Sequence, residues 1–545
     1  MLSRGDASVV TSGASHGADG TPTEGGGAQR RRLVRSTAVF AAATGLSRVL
    51  GLVREIVAAY YFGAAGKVNA FTVAFQVPNL VRALVADAAL SSAFVPVFTE
   101  LLEKGERRRA WQVAASVFWL MLLGLGGLTA LFTLLAPFAI APFGDPGGDR
   151  ALAIGLSRVM FPIVALLGAS GVIVGILNSY EQFSVPALTP VAWNLAIIAG
   201  LAVGVPQAGS ESAKLYVYAL SILIGTVIQV LLPVPWLRGL DGRLRVVLDW
   251  RDPAVRRVFT LMIPVTLGLG LINFNAVVDS IFASRLIDPT LAPTAIDKAF
   301  RIYMLPQGMF SVAVATVLFP SLARLAARGD VDGFRRTSAV GLRQIGFLLI
   351  PASAASAALA EPIVRLVYQR GAFTADQTDI VAQCLAAFSL GLAFNGAMLM
   401  LNRSFFSLQS PWIPTAVALG NLGLNAALDA AFYPVGTWGI PLSTSLVNIA
   451  GTIALLHLLR RKIGRVELTE TLRSTALVLV ASGGLAVMAH EVWAGSDALL
   501  GRSFGGQVVS LALGLAVGGA AFLVACLLLG VRELRPLRAL ASREG

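Results

Sequence analysis

Long apolar stretches, separated by short polar breaks, run along almost the whole chain from about Thr37 to Val531. Each stretch is close to the roughly 20 residues that an α-helix needs to cross the hydrocarbon core of a bilayer. The pattern predicts an all-α integral membrane protein with about fourteen transmembrane helices. The predicted spans are residues 37–61, 70–100, 110–142, 152–177, 186–205, 214–237, 256–285, 297–323, 338–368, 377–402, 412–433, 437–459, 471–493 and 506–531.

Composition agrees with this membrane assignment. Of the 545 residues, 56% are hydrophobic and 13% are charged, and the mean hydropathy is +0.74. Soluble domains carry about 25% charged residues, so a string of soluble domains is excluded. The two cysteines, Cys384 and Cys526, lie inside apolar runs and are too few for a metal cluster.

Basic residues are concentrated in every second connection between the predicted spans. Because Lys and Arg are enriched in cytoplasmic loops, this pattern predicts an even number of spans and both termini in the cytoplasm. The net charge of +13 belongs to those loops, so no nucleic-acid partner is predicted. The basic connections contain Lys104 with Arg107–Arg109, residues 238–257, Arg324–Arg336 and Arg460–Arg465.

Two segments recur in the two halves of the chain. Residues 77–106 resemble 305–330 in the placement of Pro, amide and Phe residues before a basic loop, and 178–194 resemble 402–421. Six predicted spans separate the copies, so the halves share an orientation, as in transporters whose parallel repeats enclose the substrate site. The predicted divisions are a disordered basic tail at 1–36, two six-helix lobes at 37–249 and 250–465 related by a pseudo-two-fold axis normal to the membrane, a helix pair within 466–531, and a C-terminal tail at 532–545.

Several charged residues fall at hydrocarbon depth, where each costs about 2.5 kcal/mol or more unless it faces a cavity or a partner. Three arginines come from spans of both lobes, and we expect Arg54, Arg82 and Arg301 to converge on one cavity. Guanidinium groups bind phosphate oxygens through paired hydrogen bonds. Salt bridges that only hold helices together, for example to Asp279, are the alternative. The charged residues at this depth are Arg48, Arg54, Glu55, Arg82, Asp87 and Arg301.

Four motifs resemble the MurJ (MviN) lipid II flippases of the MOP exporter superfamily. They are "SRVLGLVREIVAAYYFG" (47–63), "NAFTVAFQVPNLVRALVADAALSSAFVPVF" (69–98), "RIYMLPQGMFSVAVATVLFPSL" (301–322) and "YQRGAFTADQTD" (368–379). The resemblance implies a V-shaped cavity between the lobes and a groove for a polyprenyl tail at the last two helices. It also implies translocation of lipid II by alternating access from the cytoplasmic to the periplasmic leaflet of the bacterial inner membrane.

The resemblance carries functional roles to particular positions of this chain. Two departures stand out: the family usually has an acid where this chain has Asn69, and Glu followed by Gly where it has Asp87 and Ala88. The first departure puts any ion pair at the periplasmic end of the second span in doubt. The substrate-binding residues implied by the resemblance are Arg48, Arg54, Glu55, Ala59, Arg82, Asp87 and Arg301.

Some family members bind sodium in the second lobe, which the resemblance places here at Asp279, Asn421, Asn425 and Thr444. Oxygen ligands of this kind suit a hard cation. Asn425 is an amide where the family has a carboxylate, so the site carries less negative charge. Polar residues also hold membrane helices together, and this alternative stays open.

Other functions fit the chain less well. A membrane enzyme needs clustered carboxylates or histidines, and His16, His457 and His490 are far apart in the sequence. An exporter of a drug or of another polysaccharide-linked lipid shares the predicted fold and remains open, although cationic drugs favour an acidic cavity. A purely structural scaffold would leave the buried arginines unexplained.

The partners implied by the resemblance are lipid II, membrane lipids and a cell-wall synthesis complex.

Overall fold

The computed structural model describes residues 24–85, 88–464, 468–531 and 533. Within these residues every regular element is helical, and large apolar side chains such as Leu134, Phe138 and Leu528 are exposed on helix surfaces. This is the surface that lipid requires, because helices satisfy their own backbone hydrogen bonds and hydrocarbon accepts apolar side chains. The predicted all-α membrane class is confirmed.

The helices fall into a first half, a second half and a C-terminal pair. The first half contains α1 (Glu24–Phe62), α2 (Val68–Val85), α3 (Ala88–Glu103), α4 (Arg107–Ile140), α5 (Arg150–Met160), α6 (Pro162–Ser179), α7 (Ser184–Gly204), α8 (Glu211–Leu231) and α9 (Val234–Leu237). The second half contains α10 (Pro253–Phe282), α11 (Ala292–Pro306), α12 (Val312–Ala327), α13 (Val331–Ala358), α14 (Ala360–Tyr368), α15 (Ala375–Ser407), α16 (Trp412–Phe432) and α17 (Gly439–Ile463). The pair is α18 (Leu468–Leu500) and α19 (Phe504–Leu528).

Every predicted span falls on one helix or on successive helices. Among the described residues, ten helical stretches are long and apolar enough to cross a membrane, so the chain is multi-pass but the predicted number of fourteen is not confirmed. α1 begins at Glu24, inside the segment predicted as a tail. Residues 1–23 and most of the predicted C-terminal tail lie outside the described residues.

The path from α11 to α12 passes through one wide helical turn at Gln307–Ser311. Pro306, at the end of α11, lacks a backbone N–H and so interrupts the regular hydrogen-bond ladder. Such π-type turns are frequent at functional sites. Gln307 Nε2 donates to Asn395 Oδ1 at 2.7 Å and thereby ties this turn to α15.

The cores of the two halves meet at the end of α1. Ala59 and Ala64 are fully buried in a cluster that otherwise belongs to the second half and includes Tyr303 and Tyr368. The C-terminal helices α18 and α19 pack against each other and against α13, with Ile350 in their shared core. The two halves therefore touch directly, whereas the C-terminal pair packs chiefly on the second half.

A second contact between the halves is centred on Asn69, near the start of α2. Its side chain is fully buried, and Nδ2 donates to the carbonyl oxygens of Ala64, Gly66 and Thr290. Oδ1 accepts the backbone N–H of Thr294 at 2.9 Å. Gly66 N also donates to Thr290 O at 2.7 Å. One amide thus joins the turn before α2 to the start of α11.

This geometry explains the departure from the family's acid at that position. A neutral amide carries two N–H donors, which are shared here among three carbonyl oxygens, and one acceptor oxygen, which takes the single N–H. An ionised carboxylate has no donor and would face those carbonyl oxygens unfavourably. Asn69 therefore joins the two halves through neutral hydrogen bonds, in a place where the sequence had left an ion pair in doubt.

We predict that Asn69→Ala destabilises the protein by about 3 kcal/mol, because several buried polar groups lose their partners together. The midpoint of thermal unfolding in detergent, followed by tryptophan fluorescence, should fall by several degrees. Gln207→Ala serves as the control, because Gln207 is an exposed polar residue of a short turn after α7. An unchanged midpoint for Asn69→Ala would contradict this account of the contact.

Candidate functional site

A cavity of about 380 Å³ lies between the halves. It is lined by α1, α2 and α8 of the first half and by α10, α11, α15, α16 and α17 of the second half. Neutral amides are the main polar groups of its wall, and each can both donate and accept hydrogen bonds. The lining amides are Gln76, Asn79, Asn273, Asn275, Asn395, Asn402, Asn421 and Asn448.

Glu55 of α1 lies at the wall of this cavity and is almost completely buried. Arg54 Nη2 lies 2.7 Å and Arg301 Nη1 lies 3.2 Å from its Oε1. Lys298 Nζ lies 2.8 Å from its Oε2. A buried carboxylate is stable only when paired and hydrogen-bonded, so three cations from α1 and α11 hold Glu55 in its charged form. The cluster joins the two halves by charge.

Arg301 is the most exposed cation of the cluster. Lys298 and Arg301 are three residues apart on α11 and therefore share one face of that helix. Asp297, one turn before Arg301, accepts from its Nε at 2.8 Å and from its Nη2 at 3.2 Å. With Asp297 included, three basic side chains oppose two carboxylates, and the cluster carries an excess positive charge. Asp297, Lys298 and Arg301 all line the cavity.

Arg54 is anchored within the first half, behind Glu55. Its Nη1 donates to Asn194 Oδ1 at 3.2 Å, and its guanidinium lies 4.7 Å from the ring centre of Trp193. Its buried Nε has no hydrogen-bond partner among the described residues. Arg54 does not line the cavity, so Glu55 separates this guanidinium from the central space.

The other residues predicted for the substrate lie around this cluster. Both Nε and Nη2 of Arg82 donate to Asn79 Oδ1, at 3.2 and 2.9 Å, and Asn79 lines the cavity. Arg48 is exposed on α1, and its Nη1 lies 3.9 Å from where a Cβ would stand on Gly308. Ala59 is buried at the contact between the halves. Asp87 lies outside the described residues.

The predicted sodium ligands meet in the second half. Asp279, Asn421 and Thr444 line the cavity, and Asn425 Nδ2 donates to Asp279 Oδ1 at 2.6 Å. The same Nδ2 donates at 2.9 Å to Oδ2 of Asp429, one turn further along α16. Neither carboxylate forms an ion pair with a basic side chain in the described part of the chain.

Sequence reasoning missed Asp297, Lys298 and Asp429. The first two precede the apolar run of α11 and resemble the end of a loop. Asp429 lies in an apolar segment, although its spacing of four from Asn425, which itself follows Asn421 by four, places all three on one face of α16. A search for polar residues at helical spacing would have found Asp429. No local signal would have paired Lys298 with Glu55, which is 243 residues earlier in the chain.

The chain is similar in sequence and in fold to known membrane transporters. The protein family described as "Lipid II flippase MurJ" matches residues 58–502. A Vibrio cholerae protein described as "Probable lipid II flippase MurJ" is 31% identical over 534 residues, which cover 93% of this chain and 98% of the relative.

Two solved structures share the fold. One is described as "Lipid II flippase MurJ, inward closed conformation", with a TM-score of 0.72 and 24% identity over 90% of this chain and 99% of that chain. The other is an inward-facing multidrug resistance MATE family transporter of the MOP superfamily, with a TM-score of 0.67 and 15% identity over 78% of this chain and 98% of that chain. All of these are named as transporters, and the prediction of a transporter, not an enzyme, is confirmed.

Proposed function

The chain belongs to the lipid II flippase MurJ family, and we propose that it moves lipid II from the cytoplasmic to the periplasmic leaflet of the bacterial inner membrane for peptidoglycan synthesis. The family resemblance predicted from the four motifs is confirmed. The expected cytoplasmic location of both termini and the expected contact with a cell-wall synthesis complex stay predictions.

The observation that carries the proposal is the position of Arg301. Its guanidinium comes from the second half, is about one third exposed and faces a cavity that both halves enclose. The substrate's diphosphate is the group that a planar guanidinium fork binds best. Arg54 and Arg82 do not line the cavity in this structure, and we propose that they reach the diphosphate when the halves move. Excess positive charge in the cluster favours an anionic ligand.

The amides of the wall suit the remainder of the substrate headgroup. Sugars and peptides present hydroxyl, N–H and carbonyl groups, which neutral amides bind in either direction. A carboxylate-lined wall would instead favour cationic drugs. The cavity volume of about 380 Å³ is within the usual range of ligand sites, and we propose that it accommodates the diphosphate with part of the sugar.

Alternating access requires that one end of the cavity closes while the other opens. In the predicted topology, the contact centred on Asn69 lies at the periplasmic end, and its hydrogen bonds join the two halves there. We propose that this contact breaks when the substrate is released outward. The polyprenyl tail stays in lipid beside α18 and α19, whose outer faces expose Leu479, Val480 and Leu513.

A sodium ion is a second proposal for the second half. Asp279 and Asn421 present oxygens to the cavity together with Thr444, and the buried Oδ1 atoms of Asn425 and Asp429 have no partner among the described residues. Oxygen donors around uncompensated carboxylates fit a hard monovalent cation. The ion would neutralise this polar region within the second half. Asp429 supplies a carboxylate close to the position where Asn425 lacks one.

We predict that Arg301→Lys reduces lipid II flipping at least tenfold, because lysine keeps the charge but loses the bidentate fork. The measurement is complementation of a strain depleted of its own lipid II flippase, followed by flipping in liposomes. Arg82→Ala should also fail to complement, whereas Arg285→Lys, an exposed arginine after α10, should behave as wild type. Full activity of Arg301→Lys would contradict the proposed binding mode, and failure of the wild type to complement would favour another exported lipid or a drug.

We predict that sodium stabilises the purified protein more than potassium at equal ionic strength, because an ion that binds only the folded state raises its stability by mass action. The thermal midpoint should rise by a few degrees with sodium in the wild type, and this rise should vanish in Asp279→Asn. Asp376→Asn is the control, since Asp376 is exposed in the first turn of α15. Equal midpoints in both salts would exclude the site.

A further inference from the structure

The two carboxylate oxygens of Glu55 have different partners. Oε1 is shared by two arginines, Arg54 at 2.7 Å and Arg301 at 3.2 Å. Oε2 is bound by Lys298 alone, at 2.8 Å. The arginines and the lysine therefore neutralise the same carboxylate without competing for one oxygen.

The partners also differ in how they meet the cavity. The Arg301 side chain is 34% exposed, whereas those of Lys298 and Glu55 are each 7% exposed. Lys298 is fixed in place on its other side, because its Nζ lies 5.4 Å from the ring centre of Tyr368 and its carbonyl oxygen accepts the Tyr368 hydroxyl. Lys298 and Arg301 both line the cavity, but Arg301 is far more exposed, so a ligand there can engage Arg301 while Lys298 keeps its contact with Glu55.

An anion that takes Arg301 removes one partner from a buried carboxylate. Removing a partner from a buried charge is unfavourable, and this cost opposes ligand binding. Lys298 remains on Oε2 and Arg54 remains on Oε1 when Arg301 turns toward the cavity, so both oxygens of Glu55 keep a cationic partner. Lys298 therefore lowers the free-energy cost of moving Arg301 away from Glu55.

We propose that Lys298 is a positioning residue, which holds Glu55 so that Arg301 is free to bind the diphosphate of the substrate. This inference rests on the proposed function, because it assigns Arg301 to an anionic ligand. Lys298 itself does not touch the ligand. Without Lys298, only the two arginines neutralise Glu55, so the carboxylate holds Arg301 more tightly and competes with the diphosphate for that guanidinium.

The test is a double-mutant cycle on the full-length protein in detergent, with farnesyl diphosphate as the probe and calorimetric titration as the readout. We expect Lys298→Met to weaken binding about tenfold or more, because Arg301 is then retained by Glu55. We expect the double variant Glu55→Gln with Lys298→Met to bind within about threefold of Glu55→Gln alone, because no carboxylate remains to compete. Lys67→Met, which replaces a partly exposed lysine that pairs with Asp149, should bind as wild type.

Each result decides between the proposals. Wild-type affinity in Lys298→Met overturns the positioning role and leaves the proposed function intact. A double variant as weak as Lys298→Met also overturns it, since the lysine would then act by packing or by direct contact. Absence of probe binding in the folded wild type overturns both the inference and the arginine-held diphosphate. Should Lys298→Met fail to fold, the comparison within the Glu55→Gln background decides, and a tenfold loss there contradicts the proposal.

Discussion

The ionised carboxylate of Glu55, buried where the two halves of a membrane protein meet, is the constraint on which the arrangement depends. Such a group is tolerated only with partners, and its partners come from both α1 and α11. The stretch from α11 to α12 is one of the ten that are apolar and long enough to span the membrane. Because α11 carries two partners of this carboxylate, the buried charge fixes where the second half packs against the first. Both Arg54 and Arg301 pair with this carboxylate, and of the two only Arg301 lines the cavity.

Three other features of the molecule have roles distinct from that of Glu55. Asn69 joins the halves through neutral hydrogen bonds, which carry no charge to be neutralised when they break. The amide-lined cavity provides adaptable polar contacts, and the carboxylates of Asp279 and Asp429 accept hydrogen bonds from Asn425. The C-terminal helices pack on α13 and leave the central contact to the first seventeen helices. The charged cluster, the neutral contact at Asn69 and the C-terminal helices are thus separate parts of the molecule.

Much of this was predictable because it follows from local properties. Hydropathy and the cost of a charge in hydrocarbon depend on nearby sequence, so the helical segments and the exceptional status of Glu55 and Arg301 were visible without a structure. The pairing of charges was not, because it depends on which helices become neighbours. Lys298 carries no sign of its role in its own segment, and Asn69 was recognised only as a departure whose compensation lies at Thr290 and Thr294.

The central claim is that Arg301 exchanges Glu55 for the substrate's phosphate oxygens while the halves remain joined by Lys298 and Glu55. A high-resolution structure of the full chain with a bound polyprenyl diphosphate tests it most directly. The account predicts that Arg301 lies within hydrogen-bond distance of a phosphate oxygen and that Lys298 remains in contact with Glu55. A diphosphate bound elsewhere, with Arg301 still paired to Glu55, would contradict it.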